Sequence, residues 1–294
     1  MDKLKIGLLP MYIEMYDRDM PQIRPGIDKF RETILHELEM RGLEVEAAPV
    51  CRVKREFAQA ISLFEEHEVD AVVTLHLAYS PSLESSDVLA ATKLPLIVLD
   101  TTPAYNFNPS QDMEEINYNH GIHGVQDMCN LLKRNKKEFF LEVGHWEKSD
   151  VLDRIVGCVK AIKIAKQIRK ARVGRIGQPF DGMGDFLVPA ETMRSTIGIE
   201  TVLYDCSTGR TLVEAVSDNE INAELTDDRE KFDVNGLDIV VHKRSTIANL
   251  AVRKWIEQEK LTAFTVNFLA VDSNSGLSCM PFESNPAIIG EEVL

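Results

Sequence analysis

Cysteine is scarce in this chain. Its 294 residues hold five, at positions 51, 129, 158, 206 and 279, with no Cys-x-x-Cys spacing. An odd, scattered set excludes a disulfide framework or a zinc cradle of thiolates and fits reduced thiols in a cytoplasmic protein. Long apolar runs are also missing, and none approaches the roughly 20 residues that a membrane helix needs. The opening MDKLKIGLLP is too short an apolar segment for a signal peptide and reads as a first strand. Basic residues are in deficit, 33 Lys and Arg against 47 Asp and Glu, for a formal charge of −14. Such a balance argues against nucleic-acid or anionic-membrane partners. No P-loop, no Gly-x-Gly-x-x-Gly after the first strand and no Gly-x-Ser-x-Gly elbow occur, so nucleotide binding and serine hydrolysis have no support.

What is present is an alternation. Ile6–Leu9 is a short apolar run, followed by an aromatic and acidic loop, Met11 to Asp17, that contains Tyr12 and Glu14. Apolar positions 27, 30, 34, 35 and 38 make a helical stripe over 25–41 that Gly42 stops. Val45–Val50 reads as a strand and 54–68 as a helix. Asp70–Leu77 and Leu94–Leu99 are buried strands that end in the polar stretches Tyr79–Ser82 and Asp100–Pro103. A Pro/Asn-rich connection over 104–114, a helix over 115–134, a strand over 139–143 and a long helix over 149–170 follow. The fold class implied is α/β, with doubly wound, mainly parallel, Rossmann-like or flavodoxin-like sheets.

The length exceeds the roughly 250 residues at which single cores stop growing, which points to two domains, 1–170 and 171–294. The second starts with a strand, Val173–Ile176, that breaks into a loop rich in glycine and carrying Asp181, Met183 and Asp185. Open α/β sheets bind ligands at that carboxyl edge; the plainer reading is a turn whose glycines supply positive φ. Further on, the pattern predicts a strand over 197–204, a turn at Gly209, a helix near 217–230, a strand over Leu237–His242, a helix over 244–260 and a last strand over 263–268.

Chemistry-bearing candidates are few. His120 and His123, three residues apart, share a helix face. They suit metal ligation, hydroxyl recognition or proton shuttling, or are solvated histidines at a helix start. Gly121 and Gly124 interleave with them at a cost in helix stability, a hint that backbone comes close to something. Trp146 beside His145 is a stacking platform or packs between domains. Glu14 and Asp17 suit hydroxyl recognition or a solvated loop. Asp272, after the last strand, suits a metal or a general base, or is a turn residue.

Four segments in order resemble one family. Ile116 to Gly124 (INYNHGIHG), Val143 to Trp146 (VGHW), Arg172 to Gly177 (RVGRIG) with the Asp-Gly-Met183 loop, and Ala263–Phe268 with Met280-Pro-Phe282 are similar to the L-arabinose isomerases, in the wider group of the L-fucose isomerases. The resemblance runs along nearly the whole chain. It implies aldose–ketose isomerisation through an enediol, a divalent metal, usually Mn²⁺, on oxygen and imidazole ligands, and paired carboxylates moving the proton. It implies that His123 reaches the sugar of a neighbouring subunit in a homo-oligomer, that His120 stands where glutamine is usual, and that Met183 lines the pocket. Tyr12 and Glu14, from the loop after the first strand, are added as substrate-binding candidates. The family's Phe-Glu-Asp after the last strand is replaced by Phe268-Leu-Ala-Val-Asp272, which makes Asp272 the nearest substitute as metal ligand and proton carrier. The Gly-Glu-Gly-Asp segment and later histidines of the family's third, C-terminal domain are not found, so an incomplete metal site and an inactive chain are expected. The substrate class implied is a pentose or deoxyhexose. Two other readings stay open: a non-catalytic sugar-binding or regulatory protein, and a structural homologue used in assembly.

Overall fold

The structure is a computed structural model and describes residues 3–106, 108–184, 187–271 and 275–281. The chain divides into two compact units, Met1–Ala165 and Lys166–Leu294.

The first unit is built on five parallel strands: β1 (Leu4–Met11), β2 (Leu43–Ala47), β3 (Ala71–His76), β4 (Leu96–Asp100) and β5 (Phe140–Val143), in the order β2-β1-β3-β4-β5. The inner strands β1, β3 and β4 read as near-continuous apolar runs because both faces are covered, whereas the edge strands β2 and β5 are only partly buried. Side-chain alternation splits them cleanly. Ile6, Leu8, Val73, Leu75, Ile97 and Leu99 meet helices α2 (Arg24–Met40) and α7 (Val151–Ile168) on one face. Leu9, Met11, Val72, Leu96 and Val98 meet α3 (Lys54–Glu66), α4 (Ser82–Ala91) and α6 (Gly121–Arg134) on the other. Two short helices complete the unit, α1 (Glu14–Asp19) and α5 (Ile116–Asn119).

The second unit has three parallel strands, β6 (Arg172–Ile176), β7 (Glu200–Leu203) and β8 (Ala263–Val266), in the order β7-β6-β8. Helices α8 (Ala190–Ile197), α9 (Cys206–Glu214), α10 (Asp218–Lys231) and α11 (Ile239–Glu259) accompany them. Its core gathers around Trp255, with Ile176, Leu212, Ala251, Val252 and Leu261. The α/β class with parallel sheets is therefore as the alternation implied.

Three local expectations fail in this unit. Leu237–His242 is not a strand: the Asp238 side chain accepts from the Val240 and Val241 amides and starts α11 there. The β-branched run reads as sheet locally, but a capped helix leaves Val240 72% exposed. Gly209 is no turn; it lies inside α9, where a Cβ would strike the Tyr204 hydroxyl and the Ser275 carbonyl. The strand expected over 197–204 starts only at Glu200, because Ile197 ends α8 and Gly198 caps it at φ 87°.

Candidate functional site

In a sheet of order 2-1-3-4-5 the chain reverses its direction of winding between β1 and β3, which opens a crevice at their carboxyl ends. The segments that leave those two strands carry tyrosines. After β1 come Tyr12, wholly buried, and Tyr16, in α1. After β3 comes Tyr79, half-buried. The Tyr12 ring meets that of Tyr16 edge-on at 6.0 Å and lies under the Arg24 guanidinium, 5.4 Å from its centroid. Glu14, in the first turn of α1, is exposed.

A helix break brings the histidines to the same place. The predicted helix over 115–134 is two helices, α5 and α6, separated by His120 at φ −105°, ψ 24°. Tyr118 anchors α5 over the start of α2, where a Cβ on Gly26 would lie 2.7 Å from its ring. Asn119 fixes the preceding connection by accepting from the Ala104 amide at 2.9 Å. The glycines then let α6 press against the end of β3. A Cβ on Gly121 would lie 2.7 Å from the His76 carbonyl oxygen, and one on Gly124 would lie 2.9 Å from the His76 ring and 3.0 Å from the Ser80 amide. What comes close to these glycines is thus the protein's own chain, the His76 ring and the backbone of His76 and Ser80.

His120 consequently sits between two tyrosines. Its Nε2 is 3.1 Å from the Tyr16 hydroxyl, and its ring stacks at 17° on that of Tyr79, centroids 6.3 Å apart. His123, exposed, lies 5.9 Å from it ring to ring, with Nδ1 3.2 Å from the His120 carbonyl oxygen. Burial lowers the pKa of His120, with a further push from His123, and burial raises that of Tyr16. Both groups are therefore neutral at pH 7. The phenol donates to Nε2 when Nδ1 carries the ring proton and accepts from it in the other tautomer. Such a pair offers a ligand hydroxyl a donor and an acceptor without placing a charge in the crevice.

Beneath this group, on the face packed by α4 and α6, His76 is 3% exposed and neither ring nitrogen has a hydrogen-bond partner among the described residues. Burial drives its pKa down to about 3. Asp100, at the end of β4 and on the same face, is also buried, and burial raises its carboxyl pKa. Next along the edge, His145 meets the Tyr105 ring edge-on at 5.3 Å. Trp146 packs into the first unit's core, and its amide donates to Thr101 Oγ1 at 2.9 Å.

The second unit has its own switch point, between β6 and β8. Gly177 leaves β6 at φ 88°, where a Cβ would press on Asn267 and Ala270. Asn267 Nδ2 donates to the Gln178 carbonyl at 2.6 Å, and Phe180 faces Phe268 at 5.3 Å. This glycine-rich stretch is thus pinned to the segment after β8, and Gly177 and Gly182 take positive φ, as the turn reading expected. Met183 lies in the same loop and is 51% exposed. Asp185 and Asp272 lie outside the described residues.

Of the residues singled out from sequence, Tyr12, His120 and His123 belong to the group at the β1/β3 edge, Glu14 is on the exposed first turn beside it, and Met183 belongs to the second unit. Tyr16 and Tyr79, which hold His120 on two sides, were not singled out. Their signal was available: both follow strands β1 and β3, whose carboxyl ends flank the switch point. Among the described residues no group of three or more His, Cys, Asp or Glu side chains converges as a metal site.

Comparison with known proteins adds the chemical context. The chain matches the L-arabinose isomerase of Thermotoga petrophila with 25% identity over 229 residues, 74% of this chain and 45% of that protein. It matches that of Herpetosiphon aurantiacus with 25% identity over 166 residues, 53% of this chain and 32% of the relative. It matches that of Shewanella baltica with 23% identity over 216 residues, 70% and 42%. The chain is L-arabinose isomerase-like. It spans about half the length of the curated relatives it matches. No family model matches it. No helix among the described residues is long and apolar enough to cross a membrane.

Proposed function

We propose that the chain is a sugar isomerase of the aldose–ketose type, with a pentose or deoxyhexose as substrate. The observation that carries this reading is the neutral Tyr16–His120 pair at the β1/β3 edge, stacked on Tyr79, in a chain similar to L-arabinose isomerases. A polyhydroxy ligand is recognised by paired donors and acceptors and by flat faces against its C–H groups. In this reading Tyr16 and His120 bind hydroxyls, and His123, exposed, serves the sugar of a neighbouring copy in a homo-oligomer. Glu14, exposed beside them, is a further hydroxyl-binding candidate, with Tyr12 packed behind Tyr16; Met183 is a separate candidate in the second unit. Proton transfer between C1 and C2 falls to a carboxylate, for which Asp272 is the candidate. A divalent metal such as Mn²⁺, when bound, supplies polarisation of the sugar oxygens; its ligands are not found among the described residues, and no step is derived through it. A cytoplasmic location is part of the same proposal.

A second reading, a non-catalytic polyol-binding protein, is favoured by His120 itself. A histidine whose pKa is lowered by burial is a better hydrogen-bonding group than a proton carrier at neutral pH.

Titration calorimetry with ribitol tests what the two readings share. His120→Ala is expected to weaken binding by about 1–3 kcal/mol, and Tyr16→Phe by about 1 kcal/mol. An aldose–ketose assay with added Mn²⁺ discriminates in one direction. Turnover abolished by Asp272→Asn supports the isomerase and overturns the second reading, whereas binding without turnover fits both the second reading and the inactive chain expected from the sequence. Absence of ribitol binding together with absence of turnover discards both.

A further inference from the structure

The first unit has another hollow, at the amino ends of its strands. It measures about 700 Å³ and lies between the segment entering β4 and the segment that leaves α6 for β5. Its lining holds four lysines, Lys93, Lys133, Lys136 and Lys137, against a single carboxylate, Glu138. In a chain of net charge −14 this is a local reversal of sign.

Two of the four lysines have structural tasks. Lys137 Nζ donates to the Thr92 and Leu94 carbonyls at the end of α4, and burial lowers its pKa. Lys133 lies in the last turn of α6, where a cation complements the helix dipole, with its ammonium 5.3 Å from the centroid of Phe139. Lys93 and Lys136 have no such task. Both are exposed, and among the described residues neither forms an ion pair with a carboxylate. Other lysines of the chain do: Lys54 with Asp87, Lys231 with Asp227 and Lys254 with Glu220. Phe139 and Phe140 form an apolar wall of the same hollow.

We infer that this hollow is a binding site for a small polyphosphate anion. Four ammonium groups around one concavity give a multiply charged ligand several charge-assisted hydrogen bonds at once. A monovalent anion gains too little from them to overcome the overall negative field. The shared chemistry is the phosphoryl chain, and the source is either an inorganic polyphosphate or the tail of a nucleotide whose planar ring rests on the phenylalanine wall. The site is at the opposite end of the strands from the Tyr16–His120 group and is separate from it. The inference does not depend on the isomerase reading.

Titration calorimetry on the full chain at low ionic strength, where screening is weakest, tests it with sodium tripolyphosphate and with ATP as probes. Saturable binding is expected. The double variant Lys93→Gln/Lys136→Gln is expected to weaken it at least about tenfold, and the control pair Lys29→Gln/Lys160→Gln, on exposed lysines elsewhere, to leave it unchanged. Tighter binding of ATP than of tripolyphosphate assigns the nucleotide, and equal binding assigns the bare chain. Absence of saturable heat overturns the proposal. So does an unaltered affinity in the first variant, or an equal loss in both pairs, which would reduce the effect to net charge.

Discussion

The two units treat a buried histidine in opposite ways. In the first, His76 is enclosed with neither ring nitrogen bonded among the described residues. In the second, His242 is enclosed on α11 with Nε2 2.7 Å from Asp228 on α10. The surrounding cores explain the contrast. A five-stranded sheet with helices packed on each face provides two apolar clusters, enough to tolerate an unbonded imidazole that stays neutral. Three short strands gather one cluster, and helices α10 and α11 are joined also by Glu220–Lys254 and Glu224–Arg253 pairs. A small sheet leans more on a few large side chains and on polar links.

Trp255 is the sharpest place to break that comparison. It is 1% exposed at the centre of the second core, so Trp255→Ala is expected to cost about 3–5 kcal/mol. The chain has two tryptophans, Trp146 in the first unit and Trp255 in the second, so fluorescence of the variant reports the first unit alone. Urea titration should show the Trp146 transition retained, while Phe57→Ala, in the first core, should shift it. Equal movement of that transition by both variants would mean that the units do not differ in the way described.

Acid provides the second test. The folded pKa of His76 is lowered to about 3, below the unfolded value near 6.5. The unfolded chain therefore binds more protons between those values, and stability rises with pH across the window. Lowering pH from 6.5 to 5 should cost the first unit about 2 kcal/mol, in excess of the same shift measured in His76→Gln. Asp100 acts in the opposite sense, because its raised pKa favours the protonated fold, so the difference between the two proteins is the quantity to measure. Identical pH dependence in both would remove His76 from the account.

The smallest effect concerns helix glycines. Gly124→Ala puts a methyl 2.9 Å from the His76 ring and should destabilise by about 1–2 kcal/mol. Gly157→Ala, in α7 with nothing within 4 Å, should stabilise by about 0.5–1 kcal/mol. Thermal melts that rank the two alike would show that close approach is not the reason for glycine at 124.

Much of the first unit was legible from residue order. Its apolar strands and the stripes at 27, 30, 34 and 38 on α2 and at 57, 60, 61 and 64 on α3 are local patterns that burial enforces on both faces of a parallel sheet. The second unit was less legible. Its strands have four or five residues, and the apolar run over 237–242 fits a strand as well as a helix until Asp238 caps it.

Residue order alone was enough for the alternation of strands and helices and for the carboxyl-edge position of the polar loops. It missed the helix break at His120, which takes that residue off the helix face expected to hold both histidines. Tertiary structure decided their company. Tyr16 and His120 are 104 positions apart, and nothing local in either segment specifies the other. They meet because strand order sets β1 beside β3 and because Gly121 and Gly124 let α6 close onto His76. Periodicity is a property of neighbouring residues, whereas a binding crevice is made by whichever distant strands become neighbours in the sheet.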